Sequence, residues 1–567
     1  MPFEVPRRSY ILPAGADPAS LVSSLEDRLG GTRLDVAQDR PTKLVATLLD
    51  TADRRVRDAG AELRLEHVDK GAGDGGRLVL HPLGGRPPVA AEVAPARRYL
   101  IQDLPAGALR DSLAPIVGVR ALLPLACVRL EVQPLRVLNS DEKTVARLGL
   151  ATGDALPGTD GAGAMSTSRA SAQRGGGTGA VPLPPRAELS GVLGYAKPFA
   201  RMQDVLGGEL GLTEVGRGWT DEAVAALGGD PAGIPSKPRV TLQPDERTDQ
   251  AAVAVLSPLA DVVEANLPGT LDDLDIEFLH DLRVAVRRSR SVLRELRRAF
   301  PPAALAEQRD ALRWIQEVTG PTRDLDVQLL DEPGFLAPTA GGHDALAPVR
   351  ELLARQRADA FRLLRRRLRS DTYARRWAAY RSFLATVPTS AEAPGAAEDP
   401  TGGDGADGEA ADERPDAARP IAQVAGRRIR RVYARMLDMG GAIDDTSPPG
   451  ALHELRKRGK EQRYLLELFG GLWPSDTVRP MVRRLKDLQD VLGAHQDHEV
   501  QAAQLRSLAG ELAGVDGGPE ALLALGVVVD RLHQAQRASR ADFAERFAAF
   551  AAADQQRLVS DTFRWPR

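Results

Sequence analysis

Residues 280–298 read HDLRVAVRRSRSVLRELRR. Seven of these nineteen are arginine, in a 567-residue chain whose formal charge is only −3. On a helix of about 3.6 residues per turn, positions three and four apart share a face. His280, Arg283, Arg287, Arg290, Arg294 and Arg297 follow the spacing 3-4-3-4-3, and Arg298 joins the same side. They fill a sector of roughly 100° along about 25 Å of helix. Leu282, Val286, Leu293 and Leu296 form the adjacent apolar face, while Asp281 and Glu295 lie on the far side. The acids are therefore not spaced to neutralise the ridge through i,i+4 pairs.

The pattern recurs. At an offset of 173 residues HDLR becomes HELR, and the register holds without a gap through Arg456, Arg463, Leu466, Pro474, Leu485, Gln489, Gly493 and Asp497. Twelve of the 48 positions compared are identical, which predicts two related helical bundles packed about a pseudo-twofold axis. His453, Arg456, Lys460 and Arg463 reproduce the first four ridge positions, but Glu467 stands where the first repeat has Arg294. Two further basic helices contribute Arg362 and Arg366 (within 355–369) and Arg427 and Arg431 (within 427–435).

Composition frames these segments. With 43% hydrophobic and 27% charged residues the chain reads as soluble and globular, and its length suggests three or four folded units. No unbroken run of 18 apolar residues appears, so no membrane span is expected, and the N-terminus lacks a secretory pattern. One cysteine, Cys127, excludes an intrachain disulfide framework and fits a cytoplasmic location. Residues 152–185 are rich in Gly, Ser, Thr and Pro, and 387–420 are acidic and nearly devoid of large apolar residues. Both read as flexible connections. Between them the chain predicts a mixed N-terminal domain over 1–228, a helical bundle at 245–386 and a second at 421–555. In the first, apolar runs such as KLVATLLD, GRLVLHPL and CVRLEVQPL indicate an antiparallel sheet with a few helices.

Residues 245–386 hold 22 basic and 22 acidic side chains, so positive charge has been sorted onto faces rather than accumulated. A solvated charged face is the ordinary fate of such a run. A ridge that recurs in both repeats points instead to an extended polyanion. Arginine's planar fork suits phosphate oxygens. Aromatics are only 4% of the chain, which disfavours base stacking, and no helix-turn-helix or zinc-finger signature is present. No specific nucleic acid is expected as partner.

With these residues in view, HDLRVAVRRSRSVLREL and LHELRKRGKEQRYLLELF resemble the signature helices of the CHAD family (conserved histidine α-helical domain). LRWIQEVTGPTRDLDVQL and LKDLQDVLGAHQDHEV resemble the segments that follow them, and the likeness covers about 245–550. It implies two helical bundles forming a basic groove that binds inorganic polyphosphate, and association with polyphosphate granules. The family's basic positions carry over to His280, Arg283, Arg287, Arg290, His453, Arg456, Lys460 and Arg463. Arg294 and Arg297 extend the set by helical geometry.

The N-terminal region resembles the CYTH family, whose members fold as an antiparallel β-barrel tunnel for triphosphates. Here LLDTADRRVRDAGAELRL and ELSGVLGYAKPFARMQDVL carry the likeness. It implies a metal-dependent triphosphatase as the alternative function, with Mg or Mn as cofactor only if the barrel retains activity. The chain departs from that family's pattern. Of its acids only Glu4 and Glu188 match, Glu66 replaces an arginine, and His81 stands for the tunnel lysine. A barrel that no longer turns over triphosphate is expected, with no catalytic residues and no cofactor. HQDHE at 495–499 has donor types suited to a metal, but only Asp497 has an identical counterpart, Asp324, favouring capping or pairing with a ridge arginine.

Overall fold

The computed structural model describes residues 5–13, 18–29, 34–67, 76–157, 179–234, 238, 240–330, 334, 344–386, 414–444 and 446–565. Contacts divide the chain into two compact units, Met1–Ser236 with Pro268–Phe278, and Lys237–Leu267 with Leu279–Arg567. The two helical repeats thus share one unit.

The first unit is built on an antiparallel sheet of eleven strands: β1 (Arg7–Ile11), β2 (Leu34–Gln38), β3 (Thr42–Asp50), β4 (Ala61–His67), β5 (Gly76–Pro82), β6 (Val89–Val93), β7 (Leu123–Asn139), β8 (Thr144–Pro157), β9 (Val181–Pro182), β10 (Arg186–Gly191) and β11 (Thr213–Val215). The order is β11-β1-β10-β8-β7-β3-β4-β5-β6, with β2 on β7 and β9 on β8. Its spine is the long β7–β8 hairpin. Alternate residues of β7, among them Ala126, Val128 and Leu130, are buried, as a period of two requires. Helices α1 (Pro18–Leu29), α2 (Arg55–Asp58), α3 (Ala108–Val117), α4 (Ala196–Gln203) and α5 (Trp219–Ala226) cover it. Leu25 and Met202, for example, pack on Val137, Leu148 and Leu189.

The expected barrel is not closed. β1 spends its two edges on β10 and β11, and β5 spends its own on β4 and β6, so β11 and β6 remain the ends of an open sheet. One backbone hydrogen bond, from Val5 N–H to the Gly85 carbonyl (3.1 Å), links the approach to β1 with the turn after β5 without starting a ladder. The flexible insertion expected over 152–185 is strand at both ends, through Pro157 in β8 and again in β9, and 158–178 lie outside the described residues. Of the acidic stretch 387–420, residues 387–413 lie outside them too, whereas Asp416 and Ala417 are buried.

The second unit is helical: α6 (Thr248–Leu271), α7 (Ile276–Glu295), α8 (Pro302–Leu330), α9 (Ala347–Leu368), α10 (Asp371–Thr386), α11 (Ile421–Gly441), α12 (Pro449–Phe469), α13 (Ser475–Ser507), α14 (Ala509–Leu512), α15 (Gly518–Phe550) and α16 (Ala553–Thr562). The offset of 173 carries the starts of α6, α7 and α8 onto those of α11, α12 and α13 to the residue. It also carries the 3-10 turn Arg297–Ala299 onto Gly470–Leu472. The repeat therefore begins a full helix before the stretch in which sequence identity reveals it. The apolar face of α7 is fully inside: Leu282, Val286, Leu293 and Leu296 are all buried. Helix α6 is long and apolar enough to cross a membrane by composition, which the absence of an unbroken apolar run does not anticipate. Half of its most apolar window is buried within the structure.

Gly440 shows how tightly α11 is seated. A Cβ there would lie 1.9 Å from the ring of Phe547, itself stacked on Phe543 and tilted against Phe550. Helix propensity alone favours Gly440→Ala by about 1 kcal/mol. Overlap reverses the sign, and the substitution is expected to destabilise the helical unit by roughly 1–3 kcal/mol. Thermal melting followed by far-ultraviolet circular dichroism checks this; an unchanged or raised midpoint shows that the ring yields freely.

Candidate anion-binding site

Helices α7 and α12 occupy equivalent places in the two repeats and cross antiparallel. Arg288 of α7 donates to Glu467 of α12 (2.8 Å), and Arg294 of α7 approaches Glu461 of α12 at 3.8 Å. These contacts are images of one another: Glu461 is the counterpart of Arg288, and Glu467 of Arg294. The first repeat supplies arginine at both positions and the second supplies glutamate. Glu467 is therefore a ridge position recruited as the partner of an arginine.

Three helices wall a cleft of about 560 Å³ beside this crossing. Helix α7 contributes Arg287, Arg290 and Arg294; α8 contributes Arg309, Asp310 and Arg313; α12 contributes Lys457, Lys460, Glu461 and Tyr464. Seven cations face two acids. Several of the cations already have partners. Arg294 donates to Glu295 (2.6 Å), Arg313 pairs with Asp310, Lys457 pairs with Glu454, and Arg287 Nε donates to the Tyr464 hydroxyl (2.6 Å). Arg290, Arg309 and Lys460 form no ion pair among the described residues. Burial, then repulsion from Arg313 and Arg294, pushes the Arg290 pKa down, with Glu317 opposing. Burial, followed by Arg456 and Arg287, pushes Lys460 down to about 8. Arg287 and Lys460 are equivalent residues that both line the cleft and repel each other, and the mirrored pairs Arg288–Glu467 and Arg294–Glu461 centre the pseudo-twofold axis on Ser291 and Tyr464.

Of the residues expected from sequence, the cleft gathers Arg287, Arg290, Arg294 and Lys460. It does not gather the others. Arg283 donates to the Gln316 carbonyl and the Thr319 hydroxyl (both 2.8 Å). Arg456 is bound to Asp497 (2.8 Å), and Arg463 to Glu467 (2.6 Å). His453 Nδ1 meets the Gln496 side chain, and half-buried His280 lies outside the cleft lining. Arg297 falls beyond the end of α7, because Leu296 leaves helical geometry and a 3-10 turn follows. Arg427 is held by Asp416 (2.8 Å). Arg362 pairs with Asp359, while Arg366 and Arg431 are exposed away from the cleft. Asp497 does pair with a ridge arginine, and its counterpart Asp324 is the acid that favours the charge of Arg283. Matching residues to their repeat counterparts passes over Arg309, because its equivalent is Val482. An i,i+4 pair of arginines at 309 and 313 is the signal that could have found the third wall.

A second cleft, about 350 Å³, lies in the sheet unit and is lined by Arg7, Arg8, Arg64, His81, Arg186, Glu188, Glu214, Arg217 and Trp219, among others. Its arginines are mostly matched. Arg64 pairs with Glu62 (2.7 Å), Arg8 with Glu214 (2.9 Å), Arg217 with Asp221 (3.4 Å) and Arg186 with Glu222. Burial and Arg64 push His81 down to about 4, so it is neutral at pH 7 and does not replace a tunnel lysine's charge. Glu188 accepts from the Trp219 indole (2.9 Å). Glu4 lies outside the described residues. Among the described residues no three or more His, Cys, Asp or Glu side chains are grouped to hold a metal, so this lining does not fit the divalent cation that the CYTH resemblance implies.

Residues 254–506 match the CHAD domain family, and the chain carries a CHAD domain there. No family match assigns the N-terminal sheet region to the CYTH family. The chain is similar to the crystal structure of the CHAD domain from the plant Ricinus communis, at 24% identity and a TM-score of 0.43, covering 56% of this chain and 95% of that one. It is also similar to PptA from Streptomyces chartreusis, at 18% identity and a TM-score of 0.37, covering 53% and 99%. No curated protein matches the sequence.

The crowding at Lys460 has a measurable sign. Its ordinary pKa of 10.5 falls to about 8 on folding. Below pH 8 the cost of burying the charged lysine beside Arg456 and Arg287 is borne in full. Between 8 and 10.5 the unfolded chain holds the extra proton, so stability rises with pH across that window. Lys460→Met is expected to melt higher than wild type at pH 7, by about 2–4 °C for each kcal/mol relieved. That advantage is expected to shrink as pH climbs from 8 to 10.5. A difference that stays flat or grows shows that the lysine is not under strain.

Proposed function

We propose that the cleft walled by α7, α8 and α12 binds inorganic polyphosphate, with the protein associating with polyphosphate granules as a consequence. The observation that carries this reading is the unpaired set Arg290, Arg309 and Lys460, drawn from three helices and facing one space. Like charges held together without counter-charge are costly, and a bound polyanion removes that cost. Arginine forks offer paired hydrogen bonds to phosphate oxygens. Tyr464, the cleft's one aromatic residue, is held by Arg287, so nothing there presents a stacking face to a base. The CHAD domain over 254–506 supports the same reading through the family resemblance.

A triphosphatase acting through the sheet unit is the rival from the enzyme class, favoured by the arginines that converge on its cleft. The carboxylates that neutralise those arginines weigh against it.

Titration calorimetry with polyphosphate tests the proposal. Arg290→Glu combined with Lys460→Glu is expected to weaken binding by at least about 100-fold, from two lost charged contacts at about 1.5–3 kcal/mol each. Wild-type affinity is expected to fall steeply with salt, and to exceed that for DNA at equal phosphate concentration. Unchanged affinity in the double variant places binding elsewhere. Phosphate release from triphosphate with Mg or Mn, lost in Glu188→Gln, supports the rival instead.

A further inference from the structure

We propose that Glu467 is a specificity-determining residue, an internal carboxylate that fills the half-site related to the cleft by the pseudo-twofold axis and so confines a bound polyanion to one side. This rests on the polyphosphate reading of the cleft.

The offset of 173 carries the cleft cations Arg290, Arg294, Arg309 and Arg313 onto Arg463, Glu467, Val482 and Lys486. A symmetric protein would present two equal basic walls, one on each side of the axis. Here the second wall is disarmed at its centre. The Glu467 carboxylate accepts from Arg463 at 2.6 Å and from Arg288 at 2.8 Å, using the two acceptor oxygens as a phosphate group would. Burial raises its pKa, but Arg463 and Arg288 together pull it below the ordinary carboxylate range, so it is a fixed anion. Arg288 is nine-tenths buried, its Nε has no partner, and it borders a cavity of about 500 Å³ whose charged lining groups are Arg288 and Glu467 alone. Space and an unused donor therefore adjoin the pair. On the first-repeat side the equivalent of Glu467 is Arg294, which faces the open cleft.

The full chain is titrated with tripolyphosphate and with a polymer of several tens of phosphates. The variants are Glu467→Gln, and Arg288→Met with Glu467→Gln, which leaves no buried guanidinium unpaired. Arg290→Glu is the control for the cleft. Both Glu467 variants are expected to bind the long polymer about tenfold more tightly, with a salt dependence steeper by about one phosphate contact, as freed Arg463 engages it. Tripolyphosphate, which fits the cleft alone, is expected to bind as in wild type. Long-polymer affinity and salt slope equal to wild type in both variants, while Arg290→Glu still loses binding, overturns the role of Glu467. If wild type binds neither ligand, the polyphosphate reading fails and this one with it.

Discussion

The antiparallel crossing of α7 and α12 is the constraint on which the helical unit depends. Any twofold packing of duplicated helices sets each residue near the axis against its own copy. A ridge of arginines duplicated in this way would face a ridge of arginines. The chain resolves the conflict by changing sign in one copy at two positions. Arg288 and Arg294 of the first repeat meet Glu467 and Glu461 of the second. The carboxylates of Glu295 and Glu461 are nearly inaccessible and are shared among Arg294, Arg428 and Arg458. Burial and Glu295 raise the Glu461 pKa, whereas Arg428 and Arg294 hold Glu295 low against the effect of its own burial. Breaking one member of such a set strands another charge in the interior, so the crossing is fixed by the cost of every alternative.

Arg287 and Lys460, an equivalent pair about one turn from the centre of the crossing at Ser291 and Tyr464, did not change sign. Everything else at the crossing is balanced, so the excess of charge concentrates where these two meet Arg290 and Arg309. The sheet unit makes the contrast plain. Its cleft contains as many guanidinium groups, but Glu62, Glu214, Asp221 and Glu222 each answer one of them. Only Arg7 of that cleft forms no ion pair among the described residues, so the two clefts differ in how much charge is left without a partner. Counting basic residues does not distinguish them, but the hydrogen-bond partners do.

Much of the helical unit was legible in the sequence because its signals are local. The 3.6-residue period located the buried face of α7 correctly, and the single offset of 173 paired α7 with α12, while its match of three helix starts became visible only in the structure. Periodicity tells which side of a helix carries charge, however, and says nothing about what lies opposite. That Arg456 is spent on Asp497, Arg463 on Glu467 and Arg427 on Asp416 depends on contacts that the helical period of one segment cannot express. The wall from α8 escaped notice for the same reason, since Arg309 has no basic counterpart in the second repeat. In the sheet unit the apolar alternation of β3, β5 and β7 was readable. Closure was not, because it depends on which strands claim the edges of β1 and β5.

The identity of residue 460 follows from the same geometry. Its counterpart is Arg287, whose fork is anchored by the Tyr464 hydroxyl, and a second arginine in the cleft at this position would remain charged at any accessible pH. A lysine has a different way out. Its three donors impose no plane, and with a pKa of about 8 it can release its proton when nothing negative is near. Above pH 8 the lysine therefore sheds the cost of its burial and crowding by titration instead of by prising α7 from α12. A lysine at 460 can shed its charge where an arginine would press on the crossing at every accessible pH.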